Sequence, residues 1–173
     1  MNGATDTKED DMQRLGLALT IMLAMGAGTP AADSRDASWD RLKSLVGEWE
    51  GKYGDGTKAH ASYRLVSNGT AVMETLTTSD SEQMVTVYHP DGASLFMTHY
   101  CSMGNQSRMR EKATGSASLE FVYVDATNLK GPDDHRMSRL VMTFPASDRL
   151  VHEWTSRTGT KEETGRFEFV RQK

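Results

Sequence analysis

Gly47-Glu48-Trp49-Glu50-Gly51 decides how the rest of the chain is read. Downstream of this Gly-x-Trp-x-Gly signal, short strand-forming stretches alternate with turn residues almost to Lys173. The predicted strands are 47–54, 58–67, 70–78, 83–89, 94–101, 108–114, 118–125, 136–144, 149–156 and 162–171. Gly54-Asp55-Gly56, Asn68-Gly69, Pro90-Asp91-Gly92 and Thr158-Gly159 separate them. Such residues reach positive φ, preset φ or bond their own backbone, which is turn chemistry. Asn68-Gly69, between two apolar-rich runs, is the strongest short hairpin signal. A spacing of about ten residues per strand fits up-and-down pairing and leaves little room for crossover helices. The expected fold is all-β: an antiparallel up-and-down barrel of about ten strands. Its hollow, side-chain-lined interior suits a small-molecule ligand.

Alternation sorts the faces of these strands. Leu119, Phe121 and Tyr123 share a face, as do Phe167 with Phe169 and Trp49 with Tyr53. Leu95, Phe96, Met97 and Tyr100 put apolar groups on both faces, as happens where a plug helix, a second copy of the chain or a ligand covers the other side. The chain holds 11 methionines, which fill irregular core gaps and line adaptable pockets. Ahead of the first strand, Trp39, Leu42 and Leu45 lie at helical spacing behind Ser38 as N-cap, predicting a short helix over 37–45 that plugs one end.

The first 32 residues read differently. Met12-Gln13-Arg14, an apolar run from Leu15 to Ala27 and the small residues before Asp33 form an export signal over 12–32. The run is shorter than the ~20 apolar residues a membrane span needs. The acidic upstream stretch 1–11 is the wrong charge for such a signal and makes Met12 the expected start. The barrel domain is then 33–173, exported to the periplasm or secreted, with no membrane contact once the signal is removed. The whole chain carries 20 basic and 24 acidic residues, and 33–173 keeps 18 and 20. No basic field for nucleic acid remains. Cys101 is the only cysteine, which excludes an internal disulfide and suits a small core residue.

Gly47-x-Trp49-x-Gly51 at the head of a ten-strand meander resembles the calycin superfamily: lipocalins, fatty-acid-binding proteins and the haem-carrying nitrobindins. Leu45 to Gly51, Thr98-His99-Tyr100-Cys101, Gly104-Asn105-Gln106 and Arg108-Met109-Arg110 resemble exported bacterial lipocalin-like proteins of unknown function. The likeness spans about residues 39–171 and includes 125–129 and Trp154-Thr155. It implies a structural role for Trp49, capping the closed end, with Gly47 and Gly51 admitting close backbone approach. It implies no ligand site. The Arg-x-Tyr carboxylate pair of fatty-acid-binding proteins is replaced by Arg166-Phe167-Glu168, and no histidine follows His152 to match the nitrobindin ligand.

Candidate ligand-binding residues come from strand parity and polar clustering. His99, Tyr100, Asn105, Gln106, Arg108 and Arg110 share one hairpin. Arg108 and Arg110 alternate with Met109; facing inward they would offer forked donors to an anion, and facing outward they leave Met109 as core, which the pattern favours. Asp125, Asn128 and His135 frame the one long connection, a lid over the mouth or a set of turn caps. His99 and His152 share parity with apolar neighbours, either as core histidines or as ligands of haem or a metal. No close histidine pairing marks a zinc site, so no metal ligand is assigned and haem is the cofactor alternative. Glu74, between Val72 and Leu76, pairs with Arg64 across the Asn68-Gly69 turn or, facing the cavity, is the best general base. No catalytic residue is assigned, because no nucleophile–base order, paired carboxylates or phosphate loop is present. The expected function is binding of a small, largely apolar molecule. The alternatives are a haem or metal barrel with redox or isomerase activity, and a non-catalytic interaction module whose two-sided strands pair with a partner or with a second copy as a homodimer.

Overall fold

The computed structural model describes residues 30–79, 83–112 and 118–173. The upstream stretch 1–11, and the expected signal as far as residue 29, lie outside these. A helix, α1 (Pro30–Lys43), precedes ten strands: β1 (Gly47–Tyr53), β2 (Lys58–Val66), β3 (Ala71–Thr78), β4 (Met84–Asp91), β5 (Ser94–Tyr100), β6 (Gln106–Lys112), β7 (Ser118–Thr127), β8 (Arg136–Ala146), β9 (Arg149–Thr158) and β10 (Lys161–Arg171). Every strand pairs antiparallel with its chain neighbours, and β1 pairs with β10 to close the barrel. Closure leaves no unpaired sheet edge.

The differences from expectation are local. β6 starts two residues before the predicted 108, because the chain reverses tightly at Gly104 (φ 87°) and Gln106 already pairs with Tyr100. The hairpin at Asn68-Gly69 forms, but Val66 pairs with Ala71, so its loop is four residues rather than two. Ser67, Asn68 and Gly69 all take positive φ there. The helix begins at Pro30 rather than Ala37, so Ser38 lies inside it and is no N-cap. Its hydroxyl instead donates to Glu111 Oε1 at 2.5 Å, tying the helix to β6. Leu42 and Leu45 are buried as their spacing predicted, plugging the end at which β1 begins.

Trp49 seals that end. Its indole Nε1–H donates to the Leu45 carbonyl at 2.8 Å. The Arg171 guanidinium lies 4.2 Å over the ring and donates to the Val46 carbonyl at 2.8 Å. Gly47 has φ 133°, in the region that favours glycine. At Gly51 a Cβ would sit 2.2 Å from the Glu168 carbonyl, so β10 approaches only because no side chain is there. The barrel interior holds Ala61, Val72, Leu95, Met97, Met109, Phe121, Leu140, Met142, Leu150 and Phe169, all at most 1% exposed. Cys101 is buried and unpaired. Among the described residues no helix is long and apolar enough to cross a membrane.

Candidate functional site

Opposite the plugged end, the β1–β2, β5–β6 and β7–β8 connections and the ends of β3, β4, β9 and β10 surround a cavity of about 670 Å³. Leu76, Met84, Met137, Trp154 and Phe167 make its wall largely apolar, and His99 joins them. The rim carries Asp55, His135 and Glu163. At Gly165 a Cβ would strike Tyr53 Oη at 2.4 Å, so this glycine lets the Tyr53 ring lie against β10 at the mouth.

A polar row crosses the otherwise apolar interior. Strand register sets Tyr63 of β2 against Glu74 of β3, Glu74 against Thr86 of β4, Thr86 against His99 of β5, and His99 against Ser107 of β6. All five are at most 2% exposed. Tyr88 Oη donates to Glu74 Oε2 at 2.6 Å, and Thr86 Oγ1 lies 3.0 Å from His99 Nδ1. Tyr63 Oη is 2.9 Å from His152 Nε2, and His152 Nδ1 is 3.7 Å from Glu74 Oε1, too far for a hydrogen bond. Six buried side-chain atoms find no partner among the described residues: Glu74 Oε1, His99 Nε2, Asn105 Oδ1, Ser107 Oγ, His152 Nδ1 and Trp154 Nε1. Burial without a partner is costly, which sets these atoms apart from the rest of the interior.

Electrostatics follows burial. Desolvation pushes the Glu74 carboxyl up to about 7, against the opposing hydrogen bond from Tyr88. It lowers His99 to about 4 and His152 to about 3, so both rings are neutral at neutral pH. The proximity of His152 and Glu74 is therefore not an ion pair. Both phenols, Tyr63 and Tyr88, are raised, by burial first and the Glu74 charge second.

The predicted site residues part company here. His99 and His135 line the cavity. Asn105 is buried behind the wall, with its amide donating to the His135 carbonyl at 2.6 Å. His152 is wholly buried, its Nε2 facing Tyr63, and does not line the cavity. Tyr100, Gln106, Arg108, Arg110, Asp125 and Asn128 are also absent from the lining. Tyr100 is 48% exposed because its parity is opposite to that of His99. Arg108 makes a two-pronged pair with Asp125 on the barrel's outer face, and Arg110 pairs with Asp91 at 2.7 Å and covers the Phe96 ring. Met109 between them is wholly buried, so the outward alternative is the one realised. Asn128, with φ 59°, and Gln106 both donate to the Gly104 carbonyl, at 2.6 and 3.0 Å. The long connection is thus stitched to the β5–β6 turn. Glu74 faces inward as its general-base reading required, but the Arg64 pairing is corrected. Arg64 stands opposite Met73, and Tyr63 takes the place opposite Glu74.

Tyr63, Thr86, Tyr88, Ser107 and Trp154 were not among the predicted site residues. Their signal was a polar group at an inward-facing strand position, legible strand by strand but not as a row. Among the described residues, no group of three His, Cys, Asp or Glu is placed to hold a metal ion.

No family model and no curated protein matches the chain. Among solved structures, the crystal structure of Rv2717c from M. tuberculosis is similar, with a TM-score of 0.54 and 15% identity over 79% of this chain and 98% of that one. At that identity the likeness is one of fold, and the fold is compatible with ligand binding.

Proposed function

We propose that the chain binds a small, largely apolar molecule in the cavity at the open end of the barrel. The carrying observation is a space of about 670 Å³ walled by Leu76, Met84, Met137, Trp154 and Phe167, with a few polar groups converging on it. The calycin-like reading agrees with the closed ten-strand barrel and the sealing role of Trp49, and the apolar run 15–27 supports export to the periplasm or beyond. A titration of the full chain with N-phenyl-1-naphthylamine, which brightens in apolar surroundings, tests the binding reading. Saturable one-to-one binding that Met84→Trp abolishes supports it; an unsaturable, non-specific response sinks it.

A second reading, haem, has one observation in its favour. His99 lines the cavity with Nε2 unpartnered and Nδ1 held by Thr86, the arrangement of an oriented ligand to iron. His152 does not share it, because its Nε2 faces Tyr63. When bound, haem would supply redox and gas-ligand chemistry. Added hemin giving a Soret band that His99→Phe removes would select this reading, and an unshifted hemin spectrum rejects it.

A further inference from the structure

Two of the unpartnered atoms belong to side chains that line the cavity side by side. His99 and Trp154 are 1% and 4% exposed, with ring centroids 4.5 Å apart. The indole Nε1–H is a donor only. The character of His99 Nε2 follows from the buried row behind it. Tyr88 donates its proton to Glu74 Oε2, and Thr86 Oγ1 lies 3.0 Å from His99 Nδ1. In the tautomer that carries its proton on Nδ1, the ring donates to Thr86 Oγ1 and Nε2 keeps its lone pair. Burial holds the ring neutral, so that lone pair survives at neutral pH. In that tautomer the adjoining rings, both part of the cavity's wall, carry one unpartnered acceptor and one unpartnered donor.

We propose that the group recognised at this point is a hydroxyl of an otherwise apolar ligand, donating to His99 Nε2 and accepting from the Trp154 indole N–H. A hydroxyl satisfies both atoms with a single oxygen. An ether or carbonyl satisfies Trp154 but leaves His99 unmatched, and a carboxylate meets the Nε2 lone pair with one of its own. The chemical class is an apolar alcohol or phenol. Thr86 acts through His99 as the positioning residue that holds its Nδ1.

The inference rests on the cavity reading, and its test separates the two. 2-Naphthol and 2-methoxynaphthalene have nearly the same shape, and only the first has a proton to give. Each is used to displace N-phenyl-1-naphthylamine from the full chain. The expected result is about tenfold tighter binding of 2-naphthol, the worth of one well-made hydrogen bond at a buried acceptor. His99→Phe should make the two probes equal. Thr86→Val, which keeps the shape and removes the orienting hydroxyl, should shrink the preference several-fold, so the test survives if the His99 variant fails to fold. An independent readout is optical: excited 2-naphthol becomes a strong acid, and a naphtholate emission band that depends on His99 reports the accepting Nε2. Equal displacement by both probes overturns the hydroxyl assignment and leaves the cavity standing. A preference undiminished in both variants places the recognised group elsewhere and also overturns it. Failure of the dye to bind removes the cavity reading and this one with it.

Discussion

Trp49 and Trp154 stand near opposite ends of one barrel and are treated in opposite ways. Trp49 is completely buried, its indole N–H is bonded to the Leu45 carbonyl, and Arg171 covers its ring. Trp154 is almost as buried, but its N–H and the Nε2 of its neighbour His99 have no partner among the described residues. One end has its polar groups answered from within the chain; the other holds two that the described residues leave unanswered. The contrast separates a tryptophan that closes the fold from one that lines a site, although both occupy inward strand positions.

The largest expected effect tests the closed end. Trp49→Ala removes a buried ring and its bond, at a cost of about 3–5 kcal/mol by denaturant titration. A loss below 1 kcal/mol would deny Trp49 its sealing role. Next comes the buried carboxyl between the two ends. Glu74 has a folded value of about 7 against an ordinary 4.5, so the native chain holds its proton more tightly than the unfolded one. Stability from this group is fully present below pH 4.5 and is lost as pH rises through 7. His99 and His152 run the other way, losing stability as pH falls below 6.5. Glu74→Gln should therefore gain on the parent chain by about 3 kcal/mol between pH 4.5 and 8. A stability difference that stays flat with pH would show the carboxyl is not held neutral by burial.

Smaller effects sharpen the comparison. Gly51→Ala drives a methyl group into the β10 backbone and should cost about 1–3 kcal/mol. Thermal melts should separate Trp49→Phe from Trp154→Phe: the first strands a buried carbonyl and costs about 1 kcal/mol, whereas the second removes an orphan N–H and is close to neutral. Equal losses would erase the distinction between the ends. Least of all, Arg108→Ala on the outer face should leave the melting temperature and dye binding essentially unchanged, since both partners of its ion pair are well exposed.

Much of this is legible in the amino-acid sequence. Turn residues and alternation place every strand, because a backbone reversing every ten residues has few alternatives to up-and-down pairing. Parity favours Met109 inside and the arginines outside and sets His99 and His152 among apolar neighbours, while Glu74 stays open in sequence between a pair with Arg64 and the interior it occupies. What parity does not supply is depth along the strand. His99 and His152 read alike in sequence, yet one lines the cavity and the other is sealed beneath it against Tyr63. Polar clustering in the 99–110 hairpin misleads for a related reason: residues adjacent in sequence alternate between faces, so nearness along the chain scatters them.

By itself, the sequence determined the strands, their turns, the glycines that let β1 close on β10 and which side chains point inward. Those are local properties of φ, ψ and pleat. Only the tertiary structure decided that Tyr63, Glu74, Thr86, His99 and Ser107 fall into one row across five strands, and that Trp154 is folded against His99 at the mouth. Register is fixed by the closure of the whole barrel. A one-residue slip in any strand would send its member of the row to the outer face.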